Sequence, residues 1–245
     1  MDNALYVGLS RQQTLRRELD IIANNVANVD TTGFKVEDLM VRTEPAAPAR
    51  TAGGPKPIKL VIDNGVARDF TQGAMNKTGG DFDVALEGQG FFHVTTPAGD
   101  RYTRDGRFTM GADGTLQTET GAQVLDDGGG PITIDPLKGP VTIAKDGTMS
   151  QGPEQIGKLG VVRADDLSSL RKDGDNLYRN VSNAPLQAAP DVVVHQGMLE
   201  ASNVKPIVQI SKLIEVNRAY ESMAKMMDQT SQLSQTAVER LGKVN

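Results

Sequence analysis

"ANNVANVDTTGF", Ala23–Phe34, closes a helical pattern with three asparagines and a glycine. Asparagine is a mediocre helix former, because its short amide competes for neighbouring backbone groups. Upstream, Leu5, Gln12, Leu19 and Val26 share one heptad position, and Gly8, Leu15, Ile22 and Val29 share the position three later. Six of those eight are apolar, the pattern of a coiled-coil-like seam. Thr31, Thr32 and Gly33 stop the helix, and Gly33 is suited to the left-handed conformation. Asn24, Asn25 and Asn28 thus fall on the last turns of a helix built to pack, three and four residues apart where side chains meet.

The far end of the chain repeats the design. Leu213, Val216, Tyr220, Met223, Met227, Thr230, Ser234, Ala237 and Leu241 step by three and four. Pro206 suits a first helical turn and Asn203 a cap before it. About 35 residues of helix would span ~50 Å. Between the ends the texture changes. Asn64-Gly65, Asp105-Gly106, Asp113-Gly114, Asp127-Gly128, Asp146-Gly147 and Asp173-Gly174 punctuate short runs such as "FDVALE", "GFFHVTT" and "VTIA". Such pairs signal hairpins, because type I′ turns need positive φ.

The expected fold class is α+β. Terminal α-helices, over 1–35 and 200–245, pair as a coiled-coil-like layer. A central all-β domain rich in hairpins occupies 81–199. An extended linker or loop is expected over 36–80, because 44–57, "EPAAPARTAGGPKP", holds four prolines and two glycines with almost no large apolar side chain.

The 245 residues suffice for one large or two ordinary domains. Hydrophobic content of 38%, with 4% aromatics and no tryptophan, is lean for a catalytic domain. The net charge of -5 argues against nucleic acid as a partner, since phosphate binding needs a concentrated basic surface. Residues 1–35 balance to zero and 200–245 to +1, which leaves -6 on the middle. Near-neutral ends fit packing; an acidic middle fits exposure to water. The absence of cysteine excludes disulfides and thiolate chemistry. No apolar run approaches the ~20 residues of a membrane span, so no membrane insertion is expected. "MDNALYVGLSRQQ" lacks the basic and apolar regions of a cleavable secretory signal.

Catalytic chemistry is nearly absent. His93 and His195 each stand alone in a strand-like run, and a metal site needs several ligands at defined spacing. The Asp-Gly turns lack the alternating oxygen ligands of a calcium loop. "GQGFF" lacks a third glycine and a following helix, and "VLDDGGGPITI" lacks the Lys-Ser/Thr of a P-loop. No catalytic, cofactor-binding or metal residue is assigned, and neither an enzyme nor a small-molecule substrate is expected. The heptad ends carry the information. Thr230, Ser234 and Ala237 would make a poor isolated two-helix core, so the ends are expected to order weakly in a free monomer and to fold on assembly. Rival readings are an ordinary helix pair on a monomer, a soluble coiled-coil dimer, and a secreted adhesive or carbohydrate-binding β protein with a helical stalk. Four tyrosines, six phenylalanines and no tryptophan make a weak platform for the last.

"ANNVANVDTTGFK" (23–35) resembles the N-terminal signature of the flagellar rod and hook proteins. "GMLEASNVKPIVQISKLIEVNRAYESMAKMMDQTSQLSQTAVERL" (197–241) resembles their C-terminal signature, and "DFDVALEGQGFFHV" with "RYTRDGRFTMGADGTLQTETGAQVL" looks like their middle β domain. The resemblance covers nearly the full length in the expected order. Length, the start "MDNALYVGLSRQ" and "SNVKPI" look most like a proximal-rod member; a distal-rod member is the alternative.

The resemblance implies export through the flagellar type III apparatus without signal cleavage. It implies residence in the basal-body rod in the periplasm. It further implies polymerisation with copies of itself and with other proximal and distal rod subunits into a torque-transmitting shaft, and no cofactor. The paired ends would form an inner helical layer. In that setting Leu5, Leu15, Leu19, Ile22, Asn25, Val26, Asn28, Leu213, Val216, Tyr220, Met223 and Met227 are expected to form the assembly interface. Thr32, Gly33 and Phe34 are expected to turn the chain outward.

Overall fold

The computed structural model describes residues 2–43, 61–182 and 184–242; the proline-rich stretch 44–57 lies outside them. The chain divides into two units. One is built from Met1–Ala27, Glu37–Asp69 and Lys205–Asn245, the other from Asn28–Val36 and Phe70–Val204.

The first unit holds α1 (Asp2–Ala27) and α2 (Pro206–Gly242). They run antiparallel: Gly8 lies against Met227 and Asn25 against Gln209. Leu15, Ile22 and Val216 are buried in the seam, with Leu19, Val26, Leu213, Ala219, Tyr220 and Met223 packed around them. Fully burying such a side chain contributes about 2 kcal/mol. Isolated helices of this length are marginal in water, so the shared seam supplies what propensity does not. Gly8 leaves room for Met227. A Cβ there would stand 3.0 Å from Cγ of Met227.

Over 36–80 the structure departs from the expected linker. β1 (Glu37–Thr43) and β2 (Val61–Arg68) pair antiparallel, with Glu37 opposite Arg68 and Thr43 opposite Val61. Their register steps from Met40–Gly65 to Val41–Asp63. Asn64-Gly65, expected as a hairpin turn, is therefore a bulge inside β2, with Gly65 at φ 113. The pairing joins segments separated by the proline-rich stretch, and local signals cannot show a partner that far away.

The strands of the second unit pair antiparallel. Its strands are β3 (Met75–Lys77), β4 (Val84–Glu87), β5 (Phe91–Thr96), β6 (Gly99–Thr103), β7 (Phe108–Met110), β8 (Leu116–Thr118) and β9 (Gln123–Val124). They continue as β10 (Val141–Ile143), β11 (Thr148–Gln151), β12 (Glu154–Lys158), β13 (Val161–Arg163), β14 (Leu170–Lys172) and β15 (Leu177–Asn180). β16 (Gln187–Ala188), β17 (Val193–Gln196) and β18 (Met198–Glu200) complete the set. The main sheet runs β14-β15-β6-β5-β9-β8-β7, with β13 pairing both β5 and β16. β10-β11-β12 form a small sheet, and β17-β4 and β18-β3 form pairs.

β5 shows how period two builds two cores. Phe92 and Val94 enter the main cluster with Val84, Leu86, Leu116 and Val124, while Phe91 points the other way against Leu170 and Tyr178. Phe70 meets both Phe91 and Tyr178 edge-on, at 5.4 and 5.3 Å.

Several Asp-Gly pairs turn as expected. Gly114, Gly147 and Gly174 have φ of 81, 86 and 84. Asp113 and Asp146 accept bonds from the backbone and hydroxyl of Thr115 and Thr148, which hold both carboxylates below their usual range. Asp127-Gly128 departs by one residue, since Gly129 takes the positive φ. Asp105-Gly106 departs too. A Cβ on Gly106 would collide with the Val84 carbonyl, so the glycine serves close approach of two backbones.

Candidate assembly site

In the first unit, Leu15, Leu19, Ile22, Val26, Leu213, Val216, Tyr220 and Met223 all join one cluster between α1 and α2. Met227 lies over Gly8. Leu5 is on α1, but its side chain is outside what the structure describes. The residues expected to meet other copies are thus engaged first with the chain's own second helix.

Asn25 answers the question its position raised. It is fully buried; its Nδ2 donates to the Glu37 carbonyl at 2.7 Å and to Oε1 of Gln209 at 3.3 Å, and its Oδ1 accepts from the Glu37 N–H at 3.0 Å. One amide satisfies both backbone groups at the start of β1, as a neighbouring strand would, and ties them to α2. Glu37 also receives Arg68 at 2.7 Å. Asn24 is exposed.

The outward face of the pair carries further apolar residues. Ile207 is 80% exposed, and Ile210 and Ile214 about half. A groove of about 520 Å³ is lined by Leu19, Leu213, Ile214, Asn217, Arg218 and Glu221. The sequence held the signal: Ile207, Ile210 and Ile214 step by three and four, a second apolar stripe on the same helix. Toward the other end, Tyr6, Leu9, Met226 and Leu233 are exposed.

In the second unit, the chain after α1 is anchored by its backbone and by a buried charge cluster. Asn28 accepts from the Thr31 hydroxyl at 3.1 Å, which shapes the first turn. Thr32 accepts a bond from Arg107, and its carbonyl accepts one from Asn176 at 2.7 Å. Gly33 takes φ 67 and donates to the Glu200 carbonyl at 2.7 Å. Its missing side chain matters, because a Cβ would fall 2.6 Å from the Arg104 carbonyl oxygen and the Asp105 nitrogen. Phe34 is buried beneath Lys172, whose Nζ stands 4.3 Å from the ring centre.

Lys35, next in line, bonds Oε1 of Glu200 at 2.6 Å and the Thr71 carbonyl at 2.7 Å. Arg104 reaches Oε2 of the same Glu200 at 3.3 Å. Two cations thus share one buried carboxylate. Desolvation pulls the Arg104 guanidinium below its usual range, against the pull of Glu200. Asn203, expected as a helix cap, instead accepts from the Val36 N–H at 2.8 Å and donates to Thr71. The helix begins three residues later, at Pro206.

His195 lies 2.7 Å from Glu87, and His93 stacks on Tyr102 at 5.3 Å. Among the described residues, no three His, Cys, Asp or Glu are grouped to hold a metal ion. No described helix is long and apolar enough to cross a membrane.

A terminal helix pair with an apolar outer face, carried with a separate β unit, defines a protein built for assembly. Comparison with known proteins gives the family. A model described as "Flagella basal body rod protein" matches residues 5–35, "Flagellar hook protein FlgE/F/G D1 domain" matches 85–151, and "Flagellar basal body rod FlgEFG protein C-terminal" matches 195–240. The chain is 66% identical over 245 residues, all of both sequences, to the flagellar basal-body rod protein FlgF of Caulobacter vibrioides. It is 36% identical to FlgF of Mesorhizobium japonicum over 99% of each. It is 32% identical to FlgG of Bacillus subtilis over 97% of this chain and 98% of that one. The chain belongs to the flagellar basal-body rod protein family.

Proposed function

We propose that the chain is a FlgF-type structural subunit of the proximal rod, the reading that full-length 66% identity to a FlgF carries. A distal-rod role of the FlgG type is the second reading, favoured less at 32–34% identity. The subunit leaves the cytoplasm through the flagellar type III apparatus without signal cleavage. It resides in the periplasmic rod, where it joins copies of itself and other rod subunits and acts by transmitting torque, not by catalysis.

The helical unit forms the axial layer. The seam residues act inside each subunit. They set the spacing of α1 and α2, and the outer face then meets neighbours. Among the described residues, Leu15, Ile22 and Val216 are the buried side chains of that seam, a small number that supports ends that order weakly when alone and firmly in the shaft. The test is complementation. Cells lacking the chain should be non-motile, and purified basal bodies from restored cells should contain it in the proximal rod. Its absence from basal bodies would refute the reading.

A further inference from the structure

We propose that the turn between β14 and β15, Asp173–Asn176, is a clamp that closes on the chain leaving α1 and holds Thr32 and its neighbours in place.

The base of the turn is fixed on the main sheet. The Asp173 N–H donates to the Leu177 carbonyl at 2.9 Å, and the Leu177 N–H to the Gly174 carbonyl at 2.7 Å. Arg101 of β6 holds the Asp173 carboxylate at 2.6 Å, and Leu177 lies opposite Thr103 of the same strand. The tip is strained. Gly174, Asp175 and Asn176 have φ of 84, 45 and 56, and two of the three carry side chains. Aspartate and asparagine tolerate the left-handed region better than other L residues, yet less well than glycine. In the Asp-Gly turns at Gly114 and Gly147 only the glycine has positive φ, so closing a hairpin does not require the rest.

The strained tip is the part that reaches the joint. Asn176 donates from Nδ2 to the Thr32 carbonyl at 2.7 Å, and its own carbonyl accepts the Thr103 hydroxyl at 3.0 Å. Lys172, just before the turn, stands over the Phe34 ring. Gly33 rests on the Arg104–Asp105 peptide with no room for a Cβ. The buried Oδ1 of Asn176 receives no donor from the described residues, so the Thr32 bond orients the amide. Strain and an unsatisfied acceptor both raise the free energy of the closed turn, and the contacts with the joint offset them. Turn and joint are thus coupled, and coupling is reciprocal: relaxing the turn changes the hold on the joint. Thr32 and Asn176 are 144 positions apart, so the clamp closes only when distant parts of the unit have folded together.

Two glycine substitutions separate a clamp from a hairpin that is strained for its own sake. Asp175→Gly relieves φ and keeps the Asn176 amide; Asn176→Gly relieves φ and removes it. Hydrogen exchange of the Gly33 and Phe34 amides, which donate to the Glu200 and Thr31 carbonyls, reads the grip by NMR on the full chain. Asp175→Gly should slow that exchange roughly twofold or more, and Asn176→Gly should quicken it roughly fivefold. The double variant should match Asn176→Gly alone, because without the amide the relief at residue 175 no longer reaches the joint. Shifts in the same direction for the two single variants, or no shift in either, would overturn the clamp. So would additive effects in the double variant. Equal quickening of the β5 amides by Asn176→Gly would also overturn it, since that marks loss of the whole unit and not release of the joint.

Discussion

Lys35 Nζ and Glu200 Oε1 stand 2.6 Å apart with neither side chain exposed, joining the segment after the first helix to the segment before the second. Arg104 shares the same carboxylate. The cluster therefore buries two positive charges and one negative. Glu200→Gln would leave both cations without a counter-charge, a loss of about 3–5 kcal/mol. Lys35→Met would leave a balanced Arg104–Glu200 pair and should cost less. Urea denaturation followed by circular dichroism gives the order. A larger loss for Lys35→Met would contradict it.

Gly33 and Gly121 separate two kinds of glycine requirement. Both have positive φ, 67 and 86, but a Cβ on Gly121 meets nothing within 4 Å, whereas one on Gly33 collides with backbone. Gly121→Ala should cost about 1 kcal/mol from conformation alone. Gly33→Ala adds a steric clash that only backbone movement relieves, and should lower the melting temperature clearly further. Equal shifts in thermal scans would refute the distinction.

Asn25 and Asn28 likewise should not behave alike. Asn25→Leu strips the partners from both backbone groups of Glu37, at a cost of about 2 kcal/mol or more. Hydrogen exchange should quicken over Glu37–Thr43. Asn28 is only half-buried and accepts from Thr31, so Asn28→Leu should leave those amides unchanged.

Asp105 gives the β unit a defined pH response. Desolvation raises its carboxyl from the ordinary 3.8 to about 6, opposed by the Arg107 backbone bond and charge and reinforced by Glu119 and Asp83. The folded state therefore favours the protonated form. Its stabilising contribution is complete below pH 3.8 and is lost as pH rises through about 6. At pH 7.5 Asp105→Asn should stabilise the unit by about 1–2 kcal/mol, since an amide oxygen can keep the bond from the Arg107 N–H. Near pH 3 the gain should vanish. Urea midpoints of both proteins at the two pH values test this, and a gain that grows on acidification would reverse the sign.

Leu213 and Ile210 should divide folding from assembly. Leu213 packs in the seam and Ile210 faces out. Leu213→Asp should reduce monomer helicity at 222 nm and abolish motility. Ile210→Asp should abolish motility with helicity unchanged. Full swimming of the Ile210 variant would remove the outer face from the interface.

Much of this was legible in the chain alone. The heptad steps of α1 and α2 and the Asp-Gly turns at Gly114, Gly147 and Gly174 are local patterns, set by periods of 3.6 and 2 and by which residues accept positive φ; the helix stop expected at Thr31–Gly33 falls earlier, since α1 ends at Ala27. The seam partners Leu15, Leu19, Leu213 and Val216 followed from the same period.

Tertiary structure decided the rest. A helical period shows which residues share a face, but not whether that face meets its own chain or another. The structure turned the seam inward and left Ile207, Ile210 and Ile214 exposed. Nor can composition show a partner far along the chain. The pairing of β1 with β2, the Asn25 amide serving as a strand edge for Glu37, and Lys35 meeting Glu200 across 165 positions are non-local contacts. Their residues become interpretable only when the fold brings them within 3 Å of each other. "ANNVANVDTTGF" announced a joint by its own chemistry; which groups the joint would grip was settled in three dimensions.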